Sequence, residues 1–153
     1  MAGLTNKYIE NLSKIFLGDS FLGVYPIDVI PHTKKKTFSV IFNLSKHYEP
    51  GSHFIAIIKR YNEIIYFDSF GKKCNDLGLL KFMKKFRVKI TFNTKQLQHE
   101  DSNFCGYYCF YFIYFCSYNN KTLRQLIAKF SLIELKQNDH MLISYIVKDI
   151  KSQ

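Results

Sequence analysis

Phe104-Cys105-Gly106-Tyr107-Tyr108-Cys109-Phe110-Tyr111-Phe112-Ile113-Tyr114-Phe115-Cys116-Ser117-Tyr118 carries no charge over 15 residues. A helix that crosses a bilayer needs roughly 20 apolar residues, so this run is too short for that role. It reads as a helix buried on all sides inside a protein. Tyr and Cys make up much of it, which suits a protein interior better than lipid.

Short β-branched and aromatic runs lie upstream of this helix. Phe38 to Leu44, Phe54 to Ile58 and Ile64 to Phe67 are each bounded by polar turn residues and read as strands of one sheet. Lys59 to Ile64 is short enough to join the second and third as a hairpin. Val88 to Phe92 alternates as a further strand, after a helix capped by Asn75-Asp76 and running to Phe86. Apolar spacing predicts a first helix over Thr5 to Phe16 and two last helices over Thr122 to Phe130 and Asp139 to Ile150. Phe21 to Pro31, with two prolines and a glycine, reads as an extended, turning segment. The class is α+β: a small, mostly antiparallel mixed sheet packed on a buried central helix, with flanking helices.

At 153 residues with 47% apolar content, the chain is expected to be one domain, residues 1–153, with a real core. No repeat, linker or disordered tail is evident. Four cysteines at 74, 105, 109 and 116 sit in apolar surroundings and read as reduced thiols. The N-terminus lacks the apolar core of a secretory signal, which points to a protein kept inside cells or particles. A net charge of +10 predicts attraction to polyanions, or else a generally basic surface. No metal site is expected, because Cys105 and Cys109 have no second close pair, and His99 and His140 stand alone.

A cysteine nucleophile needs an imidazole to hold it as thiolate, a carboxylate to orient that imidazole, and a donor for the oxyanion. His53, Asp68, Gln98 and Cys105 supply these types in chain order. A hairpin loop of two or four residues would pair Lys59 with Ile64 and place Ile55 opposite Asp68. His53 and Asp68 would then be diagonal neighbours on one face. Cys105 opens the buried helix, where unpaired backbone N–H groups and the positive end of the dipole favour a thiolate. Taken singly, each residue has a commoner structural role: a packing cysteine, a structural histidine, an aspartate in a turn.

Their combination resembles the adenovirus endopeptidase family, including proteases of related viruses and virus-like DNA transposons, within the ubiquitin-like-protein protease group. The resemblance rests on Phe21-Leu22-Gly23-Val24-Tyr25, on Gly51-Ser52-His53-Phe54, on Tyr66-Phe67-Asp68-Ser69-Phe70-Gly71 and on Gln98 followed by Cys105-Gly106. The segment from Asn138-Asp139 through Tyr145-Ile146 is similar to that family's closing helix. The resemblance implies a papain-like fold in which Cys105 is nucleophile, His53 general base and then acid, and Asp68 the orienting carboxylate. Gln98 would donate to the oxyanion beside the backbone N–H of Cys105.

It further implies a cysteine endopeptidase that cleaves viral precursor proteins at Gly-rich sites during particle maturation, acting in the virion and the host nucleus. A monomer is expected, with non-specific DNA as a partner, DNA or a viral peptide as a possible activator, and no membrane. No cofactor is required by the sequence. Phe54 replaces the family's usual Trp and keeps an aromatic wall beside the imidazole. Val88 to Thr91 lacks the cysteine that bonds a peptide cofactor in adenovirus enzymes, which argues against a covalent one. Two other readings stand beside this one: a protease that removes ubiquitin or a ubiquitin-like modifier, and a basic DNA-binding or structural protein on an inactive protease fold.

Overall fold

The computed structural model describes residues 6–46, 48 and 53–150. Thr5 of the first expected helix, and the Gly51-Ser52 part of the segment before His53, lie outside the described residues.

Five strands form one sheet in the order β1 (Phe21–Pro26), β2 (Phe38–Asn43), β3 (Phe54–Lys59), β4 (Glu63–Phe67) and β5 (Lys89–Phe92). The two central pairings, β2 with β3 and β3 with β4, are antiparallel, whereas both edge strands pair parallel to their neighbours. Parallel pairing at β5 follows from the helical crossover between β4 and β5, which carries the chain back to the starting end of the sheet. The segment expected to be merely extended is β1. Its proline stands last in an edge strand, where a missing N–H costs little, and Gly23, at φ 134°, lies where the register with β2 shifts.

Strand alternation splits the core in two. Ile41, Phe54, Ala56, Ile58, Ile65 and Phe67 face α3 (Cys105–Tyr118), together with residues of α1 (Asn6–Leu17), α4 (Leu123–Ile127) and α5 (Leu135–Tyr145). Val40, Phe42, Ile55, Ile57, Ile64 and Tyr66 face α2 (Leu77–Lys84) through Leu79, Phe82 and Met83. With both faces covered, β2, β3 and β4 read as near-continuous apolar runs. α3 is buried on nearly every side, as its composition requires.

Helix ends follow their local sequence. Asp76 Oδ2 accepts from Leu79 N at 2.9 Å and starts α2. Thr122 and Gln125 form a reciprocal capping box that starts α4. α5 begins at Leu135, four residues before the expected Asp139, because the Ser131 hydroxyl accepts from Ile133 N and Glu134 N and turns the chain there. Among the described residues, no helix is long and apolar enough to cross a membrane.

Candidate active site

Strand register decides where His53 and Asp68 fall. Lys59 pairs with Ile64 and Ala56 with Phe67, the parity of an even-numbered loop, and Arg60 N donates to Glu63 O at 2.9 Å to close it. His53 therefore immediately precedes β3 and Asp68 immediately follows β4, at the same end of the sheet. Their side chains meet: His53 Nε2 lies 2.7 Å from Asp68 Oδ1.

Asp68 is held by a turn that its own sequence builds. Oδ1 also accepts from Phe70 N at 2.8 Å, and Gly71 N donates to Asp68 O at 2.7 Å. Gly71 has φ 74°, and a Cβ there would stand 2.8 Å from Gln96 N, so only glycine fits. Asn93 clamps the opposite side, accepting from Asp68 N at 2.8 Å and donating to Asp68 O at 2.5 Å. The buried carboxylate is thus fixed from backbone and side chain alike.

Cys105 reaches the same point from the other side. It opens α3, whose first turn has no side-chain cap, so its leading N–H groups are not taken by a capping side chain. Phe54 N lies 3.5 Å from the sulfur as a donor. Phe67, next to Asp68, stacks on Phe112 of α3 with ring centroids 3.9 Å apart, which ties the helix to the strand that carries the carboxylate.

The imidazole sits between these groups. Burial pulls its pKa down, but hydrogen bonds to Asp68 and to Cys105, with the charges of both, outweigh burial and raise it to about 9. Because Nε2 is taken by Asp68, Nδ1 is the nitrogen left for the thiol. The ring stacks on Phe70, centroids 4.5 Å apart. The expected aromatic wall is therefore Phe70, while Phe54 points into the core beneath α3.

Gln98 lies fully buried in an adjoining polar network rather than in the His53–Asp68 pair. Its Oε1 accepts from Ser69 Oγ at 2.5 Å, and its Nε2 donates to Ser102 O at 3.0 Å and to Ser102 Oγ at 3.2 Å. Ser102 Oγ in turn accepts from Phe104 N, one residue before the thiol. Ser69 O accepts from the backbone N–H of both Leu97 and Gln98. One network thus links the turn after Asp68 to the loop before Cys105.

Three contributors escaped the sequence reading. Asn93 shows no local signal, and Phe70 stands inside the Tyr66 to Gly71 motif without a cue that its ring would stack on His53, because both roles depend on where distant segments meet. Asn138 falls in the stretch resembling a closing helix, and its carboxamide bonds Leu97 O at 2.7 Å, Ser131 O at 2.8 Å and Ser131 N at 2.9 Å. The other thiols differ from Cys105 in setting. Burial pushes Cys109 well above the ordinary thiol range, Cys116 up to about 11, and Cys74 upward.

Sixteen chains of solved structures match this fold. A crystal structure of ASFV pS273R protease matches over 94% of this chain and 66% of that one, with TM-score 0.67 and 16% identity. A selenomethionine form of the same protease matches over 72% and 42%, with TM-score 0.55 and 18% identity. The chain thus spans less than two thirds of the length of either matched chain. No protein-family model and no curated protein matches it. At these identities the likeness establishes the fold, an α+β protease architecture with a mixed sheet and a central helix.

Proposed function

We propose that the chain is a cysteine endopeptidase of the adenovirus-protease type, encoded by a virus or virus-like element. The observation that carries the reading is the meeting of three separate segments: His53 Nε2 lies 2.7 Å from Asp68 Oδ1, and the N–H of Phe54, the next residue after His53, lies 3.5 Å from the Cys105 sulfur. The shared fold with a viral protease supports it.

In this reading the protonated imidazole and the Cys105 thiolate form the resting pair. Sγ attacks the scissile carbonyl carbon, and the oxyanion is met by the backbone N–H of Cys105 and by the Gln98 amide, which turns one N–H from Ser102. His53 gives its proton to the departing amine as the C–N bond breaks, leaving a thioester and a neutral ring. Water then attacks the thioester while His53 takes its proton. The acid product leaves and the thiolate–imidazolium pair is restored. Asp68 keeps the ring oriented throughout.

Gly-rich sites in precursor proteins of a maturing particle are the proposed substrates, and the +10 charge is proposed to concentrate enzyme and substrate on DNA. Incubating the purified protein with Gly-Gly-type peptides, with Cys105→Ala as control, tests the chemistry. Cleavage by the wild type alone is expected. Equal turnover by both overturns the assignment.

A further inference from the structure

The stretch from Lys72 to Lys95 holds eight lysine and arginine side chains, every one exposed, against a single carboxylate, Asp76. These 24 residues carry +7 of the chain's net +10. Asp76 is already engaged, since its Oδ2 accepts from Leu79 N at 2.9 Å as the cap of α2. Among the described residues, no carboxylate forms an ion pair with any of the eight.

Four of the eight converge on α2. Lys81, Lys84, Lys85 and Arg87 line a groove of about 490 Å³ together with Leu77 and Leu80. Lys81 stands three and four residues before Lys84 and Lys85, the spacing at which like charges on a helix repel. Lys85 is partly engaged, its ammonium 4.9 Å and 5.2 Å from the ring centroids of Phe82 and Phe86. Lys81, Lys84 and Arg87 have no such ring contact among the described residues. The negative end of the helix dipole suits Lys81 and Lys84 in the last turn. It does not account for the backbone of Arg87, which lies just past the helix at φ 56°, where glycine or asparagine is the usual residue. A long cationic side chain is thus kept at a strained position beside three others.

α2 packs through Leu79, Phe82 and Met83 on the sheet face opposite α3. Whatever binds its outer face leaves Cys105 uncovered. The tract of charge continues past both ends of α2, to Lys72 and Lys73 on one side and to Lys89 and Lys95 on the other, which suits a long, regular polyanion better than a short acidic peptide. Lysine ammoniums neutralise phosphates as point charges and read no base. We infer that the exposed face of α2 binds the phosphate backbone of duplex DNA, without regard to sequence, through Lys81, Lys84 and Arg87. This deepens the proposed concentration on DNA and rests on that reading.

Fluorescence anisotropy of short labelled duplexes of two unrelated sequences, over a range of salt, tests it. The Lys81→Gln, Lys84→Gln, Arg87→Gln triple variant should bind both at least about tenfold more weakly, with the slope of log K against log salt reduced by about 3. The Lys34→Gln, Lys35→Gln, Lys36→Gln variant loses the same charge from another lysine run and should change the slope by less than about 1. Thermal melting checks that each variant is folded. If substitution at Arg87 unsettles the helix end, the Lys81→Gln, Lys84→Gln double variant carries the test, with a slope loss of about 2. Equal weakening by the two triple variants, or none by the α2 variant, overturns this inference while DNA binding itself stands. Absence of salt-dependent binding by the wild type overturns both. Displacement of DNA by polyglutamate at a lower concentration of charge overturns it in favour of an acidic peptide.

Discussion

At the scale of the residue, the proposed function makes His53 the group that should set both rate and pH response. Its pKa of about 9 is set by Asp68 and Cys105 against the pull of burial. Activity is therefore expected to fall on the alkaline side with a limb near 9, as the proton for the leaving amine is lost. Asp68→Asn should move that limb downward and lower kcat/KM on the order of a hundred-fold, read from pH–rate profiles of both proteins. Stability follows the same linkage: a pKa raised from 6.5 to about 9 stabilises the fold fully below 6.5, and the contribution, about 3 kcal/mol at most, is lost as pH rises through 9. Denaturant titration at pH 6 and pH 10 should show this loss in the wild type and little of it in Asp68→Asn. Gly71→Ala forces a side chain against the Gln96 backbone at positive φ, so it should cost about 1–3 kcal/mol and displace the carboxylate turn, read as a lower Tm with lower activity. Alkylation at neutral pH should mark Cys105 first, since burial raises the other three thiols; mass mapping of the labelled peptide checks the order. The placement of His53 beside Asp68, and of Cys105 at a helix start, was legible because hairpin parity and a helix start are local features. The clamp by Asn93 and the stacking of Phe70 on His53 were not, since neither the Tyr66 to Gly71 motif nor the sequence around Asn93 says which segments they will meet.

At the scale of the element, a cap and a clasp should behave differently. Asp76→Ala removes the single bond to Leu79 N that starts α2 on the face remote from the thiol, so a loss of about 1 kcal/mol with unchanged turnover is expected. Asn138→Ala removes three bonds and strands Leu97 O, which adjoins Gln98. A loss of about 2–4 kcal/mol together with reduced activity is expected, measured by chemical denaturation and peptide cleavage. Composition made α3 legible, because 15 uncharged residues leave a short helix nowhere to lie except inside. Strand runs were legible for the same reason. The parallel pairing of both edges was not, because it depends on where long connections return, and periodicity is silent on that. α5 began early for a similar reason: the turn at Ser131 uses a hydroxyl whose partners lie two and three residues on, ahead of any apolar stripe.

At the scale of the whole molecule, charge and topology set two different behaviours. Binding to DNA driven by the +10 charge should weaken steadily as salt rises, with log K linear in log salt; fluorescence anisotropy at several salt concentrations measures the slope, and a flat line contradicts a phosphate-driven contact. Topology acts on time rather than affinity. His53 and Asp68 wait just before β3 and just after β4, whereas the sulfur arrives with a mostly buried helix that begins 52 residues after the histidine. Contacts so distant in sequence form late, after loop closure has been met by burial of the whole helix. A ribosome that has released only the hairpin has therefore made a histidine and an aspartate with no chemistry between them. Under the proposed function, activity is expected only after the cooperative step that folds the chain, so partial translation products and locally opened chains should carry no stray proteolysis.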